Sequence, residues 1–128
     1  MKTTDLMIGD KVMVKILSQI TGTYVLHTWT ANDYSRDIQV KPIPLTAEIL
    51  EKDGWERDID KEWEYNNSNI LPHYCYQWEK RNVKIKMYAG IEGFTISLII
   101  GRRFYAVHEL QHTLRLYGLD ELADNFKI

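Results

Sequence analysis

Residues His108-Glu109-Leu110-Gln111-His112 spell H-E-x-x-H, the spacing that zinc hydrolases use. On a helix, side chains four apart share a face, so His108 and His112 would offer two imidazole nitrogens to one Zn²⁺ while Glu109 polarises the metal-bound water as base. Such a centre also needs a third protein ligand and an open fourth position. The extended zincin pattern asks for Gly and His where this chain has Arg115 and Gly118, which excludes that subfamily, and the remaining tail offers only Asp120, Glu121 and Asp124. At about 100° per residue, Val107, Leu110, Leu114 and Tyr117 form one apolar stripe, with His108 and His112 on the opposite side. The preferred reading is an amphipathic helix with two solvent-facing histidines and no metal; a zinc site at His108 and His112 is the alternative.

Three other constellations carry chemistry in principle. Asp58, Asp60 and Glu62 resemble the start of a calcium loop, but the positions that need Gly and Glu hold Trp63 and Asn69. A solvated acidic strand face through Glu56 to Glu64, near the basic positions Lys84 and Lys86, accounts for them better. His73 and Cys75 would share a strand face, the arrangement of a thiolate and its base, yet nothing in the sequence orients the imidazole. Tyr74, Tyr76, Trp78, Lys80, Arg81, Lys84, Lys86 and Tyr88 interleave aromatics with positive charge, as single-strand nucleic-acid platforms do. Tyr76, Trp78, Lys84, Lys86 and Tyr88 are the candidate nucleic-acid face, set against the need of a small chain to bury its rings. No nucleophile elbow and no Gly-rich phosphate loop occurs, and nothing calls for a cofactor.

A chain of 128 residues is the size of one domain with its own core. Hydrophobic content of 45% and charged content of 27% are those of a globular protein, and no apolar run reaches membrane-span length. The first ten residues lack the basic start and apolar block of an export signal, and the single Cys75 has no cysteine partner. A cytoplasmic setting follows as the expectation. The net charge of −2 gives no overall pull toward nucleic acid or membrane, so binding of either kind needs a local patch.

The elements that position these residues follow from periodicity. Val12, Val14 and Ile16 alternate with Lys11, Met13 and Lys15 after a Gly9-Asp10 turn, Thr23 to Thr28 forms a second strand beyond Gly22, and Asp37 to Lys41 a third. Pro42-Ile43-Pro44 predicts an extended connector. Thr46 caps a two-turn helix, Ala47 to Asp53, closed by Gly54. Trp55 to Tyr65 predicts a hairpin, Tyr74 to Trp78 and Val83 to Tyr88 further strands, and Phe94 to Ile100 the cleanest strand, before a final helix. The predicted class is α+β: an antiparallel meander with a small N-terminal hairpin or barrel-like unit, packed by the short central helix and the C-terminal helix. Residues 1–128 read as one domain, with 1–41 the N-terminal β unit and 42–128 the helix, meander and C-terminal helix.

Three segments, Ile8-Gly9-Asp10-Lys11-Val12, Pro42-Ile43-Pro44-Leu45-Thr46 through Gly54-Trp55, and Tyr105-Ala106-Val107-His108-Glu109-Leu110-Gln111 followed by Gly118, resemble small uncharacterised proteins of phages, prophages and mobile elements of Bacteroides-type gut bacteria. The resemblance spans the chain in order and implies no biochemical activity. The late motif of those proteins reads Val-His-Gln-Leu-Gln-Asn, so Glu109 and His112 are departures that together create H-E-x-x-H. The expected function is a non-enzymatic accessory protein of a phage or mobile element that binds another macromolecule, most simply a protein, through its sheet or N-terminal unit. A nucleic-acid module is the first alternative and the zinc hydrolase the second; no membrane partner is expected.

Overall fold

The two-residue alternation of Val12 and Val14 with lysines suits a strand with one buried face. In the computed structural model, which describes residues 2–17, 22–59, 73–77, 84–88, 94–96 and 105–128, that run is strand β1, Lys11–Ile16. The described chain is α+β, with antiparallel sheets and short helices. It divides into two units, Met1–Pro44 with Ala106–Phe126, and Leu45–Tyr105 with Lys127–Ile128.

In the first unit β1 lies between β2 (Val25–Thr28) and β3 (Ile38–Lys41), antiparallel to both. Val14 stands opposite Val25 and Val40, and Met13 opposite Leu26 and Lys41. Alternation then sorts the faces: Val12, Val14 and Val40 enter a core with Leu6 and Trp29, with Ile38 at its margin. Helix α2, Val107–Leu116, packs on β1, and α3, Asp120–Asp124, packs on α2. Val107, Leu110, Leu114 and Ala123 are fully buried.

The C-terminal helix groups with the N-terminal sheet and residues 42–44 and not with Leu45–Tyr105, whereas the expected division set it with residues 42–128. The Pro-Ile-Pro connector explains it. Extended by its prolines, it leaves the Ile43 carbonyl to accept from Val107 N–H at 2.9 Å, while Pro44 bridges Ala106 in antiparallel fashion. The first turn of α2 is thus tied beside the end of the N-terminal segment.

In the second unit α1 is Ala47–Asp53. Thr46 Oγ1 accepts from Ile49 N–H at 3.2 Å, and Gly54 closes the helix at φ +106°. Leu50 and Trp55 are buried, and so is Asp53 at the last helical position. Asp53 Oδ2 accepts from Trp55 Nε1 at 3.0 Å and Oδ1 from Lys127 N–H at 2.7 Å. A second antiparallel sheet runs β4 (Glu56–Arg57), β5 (His73–Gln77), β6 (Lys84–Tyr88) and β7 (Phe94–Ile96). The described partner of β4 is β5, through Glu56 opposite Gln77 and Arg57 opposite Tyr76. The second arm of the expected 55–65 hairpin, the 66–69 turn and the 97–100 half of the expected long strand lie outside the described residues. No helix among the described residues is long and apolar enough to cross a membrane.

Candidate functional site

Helix α2 is capped by Ala106, whose backbone N–H donates to Glu109 Oε1 at 3.0 Å. A glutamate at the third helical position satisfies an otherwise orphaned donor and places negative charge at the positive end of the helix. Glu109 therefore serves the start of its own helix. Val107, Leu110 and Leu114 of the apolar stripe are buried and Tyr117 is half-buried, while on the opposite side His108 is 8% exposed and His112 half-buried. This corrects the expectation of two surface histidines. The polar side of α2 is covered by the turn preceding β1 and by α3, and both supply hydrogen-bond partners.

That turn runs Met7 to Asp10, closed by Asp10 N–H to Met7 O at 3.1 Å, with Gly9 at φ +94°. A positive φ at the third turn position favours glycine, and a Cβ there would lie 2.9 Å from Asp124 Oδ1. The turn delivers Asp10, fully buried, against α2. Asp10 Oδ2 accepts from Met7 N–H at 2.8 Å and lies 2.5 Å from His112 Nε2, while Oδ1 accepts from Arg115 Nη1 at 2.7 Å. Burial pushes the Asp10 carboxyl up, but these donors outweigh it and hold the group below its ordinary range. With Asp10 ionised and able only to accept, His112 Nε2 carries the proton in this contact. Arg115 also reaches Asp124 Oδ1 through Nη2 at 3.0 Å.

Gln111 completes the junction. Its Nε2 donates to Gly9 O and Ala123 O, each at 2.9 Å, and its Oε1 accepts from Lys11 N–H at 2.8 Å. One buried amide thus joins the turn, the first residue of β1 and α3. His108, four residues before His112, meets its ring edge-to-face at 5.5 Å between centroids. Burial lowers the His108 pKa, and the neighbouring His112 adds to the effect; among the described residues His108 Nδ1 has no hydrogen-bond partner.

The three residues of the zinc-like pentapeptide are thus brought into one cluster but differently engaged: Glu109 at the helix start, His112 on Asp10, His108 in the interior. Among the described residues no group of three or more His, Cys, Asp or Glu is placed to hold a metal ion. Asp10, Arg115 and Gln111 were not singled out as site residues from sequence; the Gly9-Asp10 turn was the available signal for the first.

A second buried carboxylate has a similar role. Asp33, 1% exposed, accepts at Oδ2 from Thr30 N–H (2.7 Å), Thr30 Oγ1 (2.9 Å) and His27 Nε2 (2.6 Å), and at Oδ1 from Arg36 Nη1 (2.9 Å). It organises the 3₁₀ turn Ala31–Ser35 after β2. Burial raises its pKa, yet the donors win and hold the carboxyl far below the usual range. The spacing Thr30-x-x-Asp33 is a capping signal legible in the sequence.

Of the candidate nucleic-acid face, Tyr76 is the residue whose side chain is described. Tyr76 is 2% exposed, so its ring has no face to offer a base. In register Tyr76 pairs with Ile85, whereas Lys84, Lys86 and Tyr88 pair with Gln77, Cys75 and His73. Positions of opposite parity belong to opposite faces, so Tyr76 and the Lys84, Lys86 and Tyr88 positions are divided between the two sides of the sheet. Trp78, Lys80 and Arg81 lie outside the described residues, as do Asp60 and Glu62 of the calcium-like run. His73 and Cys75 hold alternate positions on β5.

No protein-family model, no curated protein and no solved structure matches this chain.

Proposed function

We propose that the chain is a non-enzymatic interaction module, an accessory protein of a phage or mobile element acting in the cytoplasm, which binds a protein partner through its N-terminal sheet. The observation that carries this reading is β2. It is the last strand in the described order β2-β1-β3, and its apolar residues Val25 and Leu26 are 55% and 49% exposed. Edge strands in self-sufficient proteins are usually blunted by charge, proline or a cover, because an open edge templates pairing with another chain. Val25 and Leu26 are neither charged nor covered. The polar cluster on α2 supports the same reading from the other side, since its carboxylate, amide and guanidinium are consumed in holding turn, strand and helices together.

A photo-crosslinking residue at position 26 tests the proposal in cells of the host. One partner protein, lost when Val25→Asp is added to the crosslinking variant while its melting temperature is unchanged, is the expected result. One zinc per chain retained through dialysis against a mild chelator, together with chelator-sensitive hydrolysis, would replace the module with the zinc hydrolase of His108, His112 and Glu109. The genes flanking the coding sequence test the proposed setting: replication, packaging or lysis genes beside it agree with a phage or mobile element, and a conserved housekeeping operon does not.

A further inference from the structure

The face of the first sheet turned away from its core carries a pattern of its own. On β1 it presents Lys11, Met13 and Lys15; the register sets Thr28 and Leu26 beside Lys11 and Met13 on β2, and Lys41 and Gln39 beside Met13 and Lys15 on β3. Two contacts confirm that these side chains share the face: Lys41 Nζ lies 4.3 Å from the centroid of the Tyr24 ring, and Lys11 Nζ donates to Thr28 Oγ1 at 2.5 Å. Within the three strands the face holds three lysines and no carboxylate; Asp37, one residue before β3, is the nearest acid that continues its parity. Among the described residues none of the three lysines is ion-paired. The chain as a whole has net charge −2, so this basic face runs against the average.

We propose that this face docks an extended acidic segment of a protein partner, with an apolar side chain of the segment over Met13 and Leu26 and its carboxylates on Lys11, Lys15 and Lys41. This rests on the interaction-module reading and names its surface and partner chemistry. Met13 and Leu26 are register partners at the middle of the face, and the lysines surround them, which is the apolar centre and polar rim of a protein interface. Lys11 and Lys15 are four residues apart on one strand, roughly 13 Å, and Lys41 sits midway along that line one strand spacing over, so neighbouring charges are roughly 8 Å apart. A face of that length accommodates about four or five extended residues, far less than the roughly 800 Å² per partner of a folded docking surface. A nucleic-acid strand fits less well. The aromatic on the face, Tyr24, already has Lys41 over its ring, and the Met13 and Leu26 pair offers nothing to a phosphate backbone.

The probe is a fluorescein-labelled peptide about eight residues long, alternating Glu and Leu, read by anisotropy against the whole protein. Expected are saturable binding that weakens as salt rises from roughly 50 to 300 mM, a loss of about tenfold in Lys15→Glu/Lys41→Glu, and a further loss in Leu26→Ser. A peptide alternating Lys and Leu should not bind. Amide chemical-shift changes on the unsubstituted protein give a reading independent of the variants' folding, and they should centre on residues 11–15, 24–28 and 39–41. No peptide binding up to about 1 mM, equal binding by the double variant, shift changes centred elsewhere, or tighter binding of an oligothymidylate of equal charge would each overturn the proposal. If the peptide fails while the position-26 crosslinker still captures a partner, this face is refuted and the module stands. Retained zinc with chelator-sensitive hydrolysis refutes the module itself.

Discussion

Replacing Gln111 by Ala removes the one side chain that satisfies Lys11 N–H, Gly9 O and Ala123 O together, at 2.8, 2.9 and 2.9 Å, from a site with no solvent exposure. A buried donor or acceptor left unpaired costs about 1–3 kcal/mol. The amide N–H of Lys11 has a single proton to place and sits toward the upper end of that range; the Gly9 carbonyl sits toward the lower end, and Ala123 O, which keeps the Phe126 N–H at 3.4 Å, adds little. The sum is about 3–5 kcal/mol, a large share of the roughly 5–15 kcal/mol that holds an ordinary domain together. Urea unfolding followed by far-UV circular dichroism should show a midpoint at least about 1 M lower, since the slope for a chain of this size is about 1–3 kcal/mol per M. Gln111→Glu separates hydrogen bonding from volume: it keeps an acceptor for Lys11 but faces a carboxylate with the Gly9 and Ala123 carbonyls. It should be at least as damaging at neutral pH and partly recover in acid, where the carboxyl gains a proton to donate. A loss below about 1 kcal/mol for Gln111→Ala, with Leu116→Ala as the exposed control at about 0.5 kcal/mol or less, would refute the assignment of this amide as the fastening of the first unit.

His112→Ala should cost about 1.5–3 kcal/mol, the worth of a hydrogen bond to a charged group, and a denaturant melt within about 0.5 kcal/mol of the parent would restore the surface reading. Gly9→Ala combines a positive φ with a Cβ 2.9 Å from Asp124 Oδ1 and 3.0 Å from Arg115 Nη2, so it should lower stability by at least about 1 kcal/mol; an unchanged melting temperature would contradict the turn geometry. The Asp10 and Asp33 carboxyls are held below their ordinary range, so the native state binds fewer protons than the unfolded one near pH 4. The stability they supply is present above about pH 4 and lost as pH falls further, and Asp10→Asn should flatten that acid limb. Asp53 has the opposite sign: burial raises its pKa to about 6 despite the Trp55 and Lys127 donors. Its native form keeps the proton longer, so its contribution declines as pH rises from about 4 through 6, and the stability difference between Asp53→Asn and the parent should shift in the variant's favour across that window. A difference independent of pH would show that Asp53 does not titrate as described.

Local rules read much of this chain directly. The alternation at residues 11–16 appears as β1, Thr46 and Gly54 bound α1 where capping chemistry puts them, and the apolar stripe Val107, Leu110 and Leu114 is buried. These features depend on neighbours within a few residues, whose preferences the sequence carries at the position itself. The site was not legible in that way. H-E-x-x-H marks one helix, but whether its histidines meet solvent, a metal or a carboxylate depends on what covers the helix, and the cover is a turn far away in sequence. Gln111 reaches Gly9 across 102 residues and His112 reaches Asp10 across 102. No periodicity encodes such a pairing, because the side chain that satisfies a buried polar group is chosen by where the backbone returns. Ile8 to Val12, Pro42 to Pro44 and Ala106 to Gln111 are parts of the three segments recognisable as patterns from sequence alone. Only the tertiary structure reveals that these three parts meet in the first unit, where burial makes an unpaired polar group costly.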